Sequence, residues 1–166
     1  MPSPNSKATS RLQLPVIAGA NARGEPVVEE IEAELVSRDP PEVRLVKSPL
    51  LARDYAAGDK LRIVNPETAE YELILRSGNL CVRVYRKQNI EEVADSLTPV
   101  LEKLGGMLDV QTDRALVYTI HFSIGFKTIE DALNQAVGEF PDSVWYYGNV
   151  YDPEDGVTPL GWWNDL

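Results

Sequence analysis

The stretch RSGNLCVRVYRKQNIEEVADSLTPVLEKLGG, residues 76–106, contains the change in periodicity that decides the fold. Before it, from residue 11 onwards, apolar residues alternate or form short groups separated by Gly, Pro and Asn, a pattern typical of β-strands. After Asn79, one more alternating segment, residues 80–86, is followed by apolar residues at helical spacing. The chain is therefore predicted to change from an all-β region to a mixed region near residue 79.

The first predicted helix covers residues 90–104. Asn89 precedes it, and its side chain is predicted to accept a hydrogen bond from the backbone N–H of Glu92, as helix-capping residues do. Pro99 lies well inside the apolar stripe, where a proline removes one backbone donor and crowds the preceding turn. We therefore expect a kink or a break near Thr98.

The remaining elements complete a β-α-β-β-α-β order. Two strands that form a hairpin, a helix starting at Thr128 and a final strand are predicted at residues 107–112, 116–123, 128–140 and 144–151. The fold class is α+β: a small β-barrel-like lobe of five strands at residues 11–77, then a ferredoxin-like sandwich at residues 78–152. We expect residues 1–10 to be disordered and residues 153–166 to form an aromatic tail.

A sandwich of this type buries one face of its sheet under two helices and leaves the other face open. Alternation assigns residues from two central strands to that open face: Cys81, Arg83, Tyr85, Val117, Thr119 and His121. The final strand adds either the Trp145/Tyr147 pair or the Val144/Tyr146 pair. An alternative is that the five-stranded lobe covers this face.

The composition excludes several classes of partner. The formal net charge is −10 and the pI is about 4.6, so the chain should repel nucleic acid and anionic lipid and favour cationic partners. No apolar run approaches the roughly 18–20 residues that span a bilayer. A single cysteine, Cys81, allows no intramolecular disulfide, and we expect a reducing, cytoplasmic location.

Several short motifs carry a resemblance over roughly residues 29–137. They are Glu32, Ser48-Pro49, Gly58-Asp59 and, above all, Ser77-Gly78-Asn79 followed by Arg83. On these motifs the chain resembles a bacterial family known only as a domain of unknown function. The resemblance implies that the Ser-Gly-Asn motif joins the two lobes, and it implies no catalytic chemistry.

His121 is the one histidine of the chain, and histidine is the commonest acid–base residue near neutral pH. A small hydrolase could use it with Cys81, Tyr85 or a nearby carboxylate, provided that the groups lie within hydrogen-bond distance. The other interpretation is an ordinary, half-exposed strand histidine, because no local catalytic signature accompanies it. We favour the second interpretation.

Arg83 is the most specific candidate for anion binding. Its guanidinium could hold a carboxylate or phosphate through two parallel hydrogen bonds, helped by backbone N–H groups at Gly78 and Asn79. The alternative, which we favour because acids outnumber bases 26 to 16, is that Arg83 pairs with a carboxylate and joins the two lobes. For the Gly78-Asn79 pair we favour an ordinary turn, because both residue types tolerate positive φ and a turn requires no ligand.

Aromatic residues are concentrated in the last quarter of the chain, and four of them are candidates for a surface or interface: Trp145, Tyr147, Trp162 and Trp163. The Trp162-Trp163 pair either folds back on the protein or docks on a second copy, which makes a homodimer possible. Acids at Asp152, Glu154 and Asp155 do not match the spacing of a calcium loop. No metal or cofactor site is predicted.

These observations favour a non-enzymatic binding or regulatory module. Its ligand would lie on the open sheet face or in the cleft between the lobes. The candidates are a protein segment, a basic partner or a small molecule. The face is represented by Asn79, Arg83, Tyr85, Thr119 and His121. The hydrolase centred on His121 is the alternative.

Overall fold

The computed structural model describes residues 10–166, which form two antiparallel sheets and two α-helices. The predicted disordered terminus, residues 1–10, lies outside the described part except for Ser10. The strands are β1 (Arg11–Ala20), β2 (Pro26–Arg38), β3 (Pro41–Leu45), β4 (Lys60–Asn65), β5 (Glu70–Leu75), β6 (Asn79–Arg86), β7 (Met107–Gln111), β8 (Ala115–His121) and β9 (Ser143–Tyr147). The helices are α1 (Ile90–Lys103) and α2 (Phe126–Val137). This is an α+β architecture.

The first sheet contains β1 to β5 in chain order, each strand paired with the next. Its inner face is apolar because alternation places residues such as Ile31 and Ala33 of β2 inside, at 3% and 0% exposure. In the described residues no strand ladder joins β1 to β5. The Tyr71 hydroxyl of β5 does donate to the Pro15 carbonyl of β1, at 2.7 Å, and this contact links the two edge strands.

The second sheet has the strand order β7-β8-β6-β9, all antiparallel. Both helices pack on the same face, where alternate residues of β6 and β8 meet the helical stripes. The fully buried members of this core include Leu80, Val82, Val84, Leu97, Leu101, Leu116, Tyr118, Ile120, Ile129 and Leu133. Burial of these side chains, worth roughly 1.5–3 kcal/mol each before entropy is subtracted, holds this lobe together.

The helix boundaries correct three details of the sequence prediction. Asn89 has a left-handed backbone, and its carbonyl rather than its side chain meets the Glu92 N–H, at 3.2 Å. Helix α1 runs through Pro99 without the predicted break. Helix α2 begins at Phe126, two residues before the predicted start at Thr128, because Gly125 already adopts the non-helical conformation that precedes it.

The strand ends in the second lobe also differ from the prediction. Strand β8 stops at His121, where residues 122–124 form a 3-10 turn, and β9 stops at Tyr147 rather than Tyr151. Beyond β9 the chain folds back, and the Trp162 ring packs edge-on against Phe122 at a centroid distance of 6.0 Å. The Trp163 ring packs on Phe126 in a tilted arrangement at a centroid distance of 4.9 Å. The interpretation that the Trp162-Trp163 tail folds back is therefore confirmed.

Candidate functional site: a pocket beside strand β9

The predicted open face of the second sheet is largely covered. The β3–β4 loop, residues 46–59, lies over it, and Arg83 is only 4% exposed beneath the loop. The Arg83 Nε donates to the Pro49 carbonyl at 3.1 Å, and its Nη2 donates to the Ala52 carbonyl. Arg83 thus joins the two lobes as expected, but it does so through backbone carbonyls and not through a carboxylate.

The same loop is held from its other side by Glu29 of β2. The Glu29 carboxylate accepts from the backbone N–H groups of Leu50, Leu51 and Ala52 at 2.6, 2.8 and 2.7 Å. The loop therefore directs backbone N–H groups towards the Glu29 carboxylate and backbone carbonyls towards the Arg83 guanidinium. This arrangement satisfies the backbone of a loop packed between two sheets.

The Ser77-Gly78-Asn79 motif forms a second junction, centred on the buried carboxylate of Asp59. Asp59 accepts from the Ser77 N–H and hydroxyl, at 2.9 and 3.1 Å, and from the Ala56 N–H at 3.0 Å. The Asn79 side chain donates to the Ala57 carbonyl at 2.9 Å. The Asn79 N–H is bonded to Ser77, at 3.0 Å, so the proposed anion site shared by Arg83 and the backbone of this turn does not form.

Cys81 is enclosed beneath the loop with 0% exposure. Burial raises the pKa of its thiol to about 11, and the neighbouring Arg83 charge only partly opposes this. The Sγ atom lies 3.5 Å from the Pro49 carbonyl. At neutral pH the residue is a neutral, inaccessible thiol, which is a poor nucleophile.

His121 and Tyr85 lie at opposite ends of the sheet. His121 pairs with Asn79 and Tyr85 pairs with Ala115, a separation of six residues or roughly 20 Å along β8. Pairing of His121 with Tyr85 in a hydrolase is therefore wrong. The His121 Nδ1 atom instead lies 2.8 Å from the Ser123 hydroxyl and accepts from the Ser123 N–H, a local turn contact.

Asn79, Thr119 and His121 all line a cleft of about 480 Å³ between the lobes. The Thr119 hydroxyl donates to Asp109 at 2.6 Å and accepts from the Ser48 hydroxyl at 2.5 Å. Ser48 in turn accepts from a backbone N–H at 2.9 Å. The hydroxyls of Ser48 and Thr119 already form hydrogen bonds within the protein. They therefore stabilise the contact between the lobes and are poorly placed to bind a ligand.

A second pocket, of about 400 Å³, lies beside β9, and we call it the β9 pocket. Its wall combines four aromatic residues, two arginines and two carboxylates: Trp145, Tyr146, Tyr147, Tyr151, Arg53, Arg83, Glu130 and Asp152. Volumes of roughly 300–1,000 Å³, apolar walls and a few polar groups are typical of small-molecule sites. Of the predicted face and aromatic residues, Arg83, Trp145 and Tyr147 are brought together here.

Two polar groups of the β9 pocket have no hydrogen-bond partner of good geometry among residues 10–166. In the same part of the chain, Arg83 forms no ion pair, and its Nη1 has no hydrogen-bond acceptor although Nε and Nη2 do. The Tyr147 hydroxyl is buried and also has no hydrogen-bond partner. Burial, and then the negative charge of Glu130, raise the pKa of Tyr147. The Tyr147 hydroxyl is sealed from solvent whereas Arg83 Nη1 is not, so Arg83 is the group placed to bind a molecule in the pocket.

Gly148 makes this geometry possible. A Cβ atom there would lie 2.8 Å from the Cys81 Sγ and 3.0 Å from the Arg83 Cζ. The missing side chain therefore leaves the space in which the Arg83 guanidinium lies.

Sequence reasoning found Arg83 but missed Glu29, Arg53, Glu130 and Gly148. Glu29 and Glu130 belong to charged surface patterns that many solvated residues share, and Gly148 lies in an unremarkable Tyr-Gly-Asn segment. The distinguishing signal is the contact between lobes, which appears only in three dimensions. Tyr85 is 42% exposed and lies outside the pocket.

In the described part of the chain, no helix is both long and apolar enough to cross a bilayer. The fold and the junction define an α+β protein of two sheets joined through buried polar contacts. The chain belongs to the family described as a domain of unknown function (DUF4265), whose model matches residues 29–140. The match includes Glu29, Asp59 and Arg83, and it ends before β9.

One solved structure shares the fold. It is described as a novel crystal structure of a hypothetical protein from Neisseria gonorrhoeae, and it aligns with a TM-score of 0.60 at 12% sequence identity. The alignment covers 84% of this chain and 94% of that chain. No curated protein matches the sequence significantly.

Proposed function

We propose that this protein is a non-enzymatic binding module that takes a small molecule with an anionic group into the β9 pocket. The observation that carries the proposal is the state of Arg83. It is a buried guanidinium with two nitrogens fixed by carbonyls and a third, Nη1, without a partner among residues 10–166. A buried cation without a counter-ion is costly, and an anionic ligand would supply one.

The surroundings of Arg83 support an anion of modest size. Nη1 is not among the polar atoms sealed from solvent without a partner, and the β9 pocket is an opening that Arg83 lines. Arg53 stands exposed on the rim, where its Nη1 donates to the Pro153 carbonyl at 2.9 Å. Because charge-assisted hydrogen bonds are about twice as strong as neutral ones, these two cations would select a carboxylate over an uncharged group.

The hydrolase alternative has less support. Its nucleophile would be Cys81, whose pKa is raised to about 11 beneath the loop, or Tyr85, which lies at the other end of the sheet from His121. A regulatory role remains compatible with the binding module, since the pocket adjoins Arg83 and therefore the junction of the lobes. We further assign the lobes to a small β-barrel-like unit and a ferredoxin-like unit, supported by the Tyr71–Pro15 contact and the order β7-β8-β6-β9.

The test is a titration of the full-length protein with sodium benzoate, followed by the Trp145 indole signal in NMR spectra. Benzamide, which has the same shape without the charge, is the matched probe. We expect benzoate to bind at least tenfold more tightly than benzamide. Arg53→Ala on the rim should weaken benzoate by about fivefold, and Arg114→Lys in the distant β7–β8 hairpin should leave it unchanged.

Gly148→Ala provides a second variant that changes no charge. Its Cβ would displace the Arg83 guanidinium, so benzoate binding should be lost while the variant remains folded. Equal affinities for benzoate and benzamide, or full benzoate affinity in both Arg53→Ala and folded Gly148→Ala, would contradict the proposal.

A further inference from the structure

We infer that the ligand of the β9 pocket is a zwitterion, an amino-acid-like molecule that carries one carboxylate, one ammonium group and an apolar or aromatic body. The inference rests on the proposed binding function and specifies its ligand class. It starts from the charges on the pocket wall, which are two arginines and two carboxylates. A ligand that carries only a negative charge would pair with the two arginines and leave the two carboxylates without a partner.

The carboxylates and the arginines of the pocket wall do not form ion pairs with one another. Among residues 10–166, neither Glu130 nor Asp152 forms an ion pair within 4.0 Å, and neither do Arg53 and Arg83. The pocket therefore keeps opposite charges apart within a volume of about 400 Å³. Such a separation is what a molecule with two opposite charges would complement.

The two charges approach the pocket from opposite faces of the sheet. Arg83 pairs with Tyr146 on the face covered by the β3–β4 loop. Glu130 comes from α2 on the helical face, close enough to Tyr147 to raise the pKa of its hydroxyl. Strand β9 is the outermost strand of the sheet, and Gly148 follows it without a side chain. Both charges can therefore reach one ligand that lies across this edge.

The charged groups of the wall assign the two ends of the ligand. Its carboxylate would accept from Arg83 Nη1, with Arg53 adding positive charge at the rim. Its ammonium group would donate to the Glu130 carboxylate, which lines the pocket and lies close enough to the Tyr147 hydroxyl to raise its pKa. The ring of Tyr151 and the ring of Trp145 provide apolar surface for the body of the ligand.

Three related probes separate the contributions of the two charges. L-phenylalanine has both charges, 3-phenylpropionate lacks the ammonium group, and phenethylamine lacks the carboxylate. Isothermal titration of the full-length protein at neutral pH should give an affinity for L-phenylalanine at least tenfold higher than for either of the other two. The same order should appear in the Trp145 indole shifts, which report occupancy of the pocket.

Glu130→Gln is the decisive variant because it keeps the shape of the side chain and removes its charge. It should lower the affinity for L-phenylalanine about tenfold and leave the affinity for 3-phenylpropionate unchanged or slightly higher. Glu139→Gln, an exposed residue just beyond the end of α2, is the matched control and should change neither. Both positions face solvent at least in part, so both variants should fold.

The outcomes distinguish this inference from the proposed function. If L-phenylalanine and 3-phenylpropionate bind equally, and Glu130→Gln affects neither, the zwitterion is wrong while the anion site stands. If phenethylamine binds best, the pocket is a cation site and both proposals fail. If none of the three probes binds but benzoate does, the amino-acid-like class is wrong. If benzoate also fails, the binding function itself is refuted.

Discussion

Glu29 and Arg83 lie in different lobes and hold the same loop from opposite sides. Glu29 accepts from three consecutive N–H groups, at Leu50, Leu51 and Ala52, while Arg83 donates to the carbonyls of Pro49 and Ala52. The Pro49–Leu50 peptide is thus held at both ends, its carbonyl by Arg83 and its N–H by Glu29. Neither charge needs to touch the other for the pair to fix the position of the lobes.

Glu29→Gln should weaken the junction. The amide group of glutamine would replace one acceptor oxygen by a donor that faces backbone N–H groups, so at least one of them would lose its partner. Hydrogen bonds to charged groups contribute about 1.5–3 kcal/mol each, and an unsatisfied buried donor costs a similar amount. We expect the free energy of unfolding, measured by urea denaturation, to fall by about 2–3 kcal/mol.

The adjacent residue provides the control for this variant. Glu30 is exposed on the same strand, and Glu30→Gln should change the free energy of unfolding by less than about 0.5 kcal/mol. Equal stabilities of the two variants would show that the contacts of Glu29 with the loop contribute nothing.

Asp59→Asn tests the second junction. Asp59 is 1% exposed and accepts three hydrogen bonds from Ser77 and Ala56, and an asparagine amide would place a donor against a donor. We expect a loss of about 2–4 kcal/mol in the free energy of unfolding, because the substitution leaves buried donors without acceptors. Asp113→Asn, in the exposed turn between β7 and β8, is the matched control and should be neutral. A neutral Asp59→Asn would mean that the Ser-Gly-Asn turn is held by other contacts.

The fold was largely predictable because burial imposes a period on each element. The alternation of Ile31 and Ala33 in β2, and the helical stripe that includes Leu97 and Leu101, depend on side chains within one element. Element ends were less predictable. Asn89 was expected to cap α1 with its side chain, yet its left-handed backbone directs the carbonyl there instead.

The candidate site was predictable only in part, and for a different reason. Arg83 stood out because it follows the Ser-Gly-Asn motif on a face that was predicted to be open. The sequence could not show that its partner is a loop 31 to 34 positions earlier in the chain. Glu130 comes from a helix and Gly148 from a strand end, and their proximity follows from the position of β9 at the edge of the sheet. Contacts between elements, unlike periodicity within them, leave no local pattern.

The buried thiol of Cys81 should make the free energy of unfolding depend on pH in the alkaline range. Burial raises the pKa of its thiol from the ordinary value of 9.0 to about 11, so the unfolded chain loses this proton at a lower pH than the folded chain. The folded state binds more protons between these two values, and the free energy of unfolding therefore falls as the pH rises from about 9 to 11. The stabilisation from the neutral thiol is complete below pH 9, and its full loss amounts to about 3 kcal/mol.

The measurement is a series of urea denaturations between pH 7 and pH 11 on the wild type and on Cys81→Ala. The alanine variant lacks the thiol but keeps every tyrosine and lysine, so the difference between the two curves isolates Cys81. Cys81→Ala should be less stable at pH 7, because it leaves a cavity beneath the β3–β4 loop. The wild type should lose this advantage as the pH approaches 11. Two parallel curves would mean that the thiol ionises without penalty and that the loop does not seal it from water.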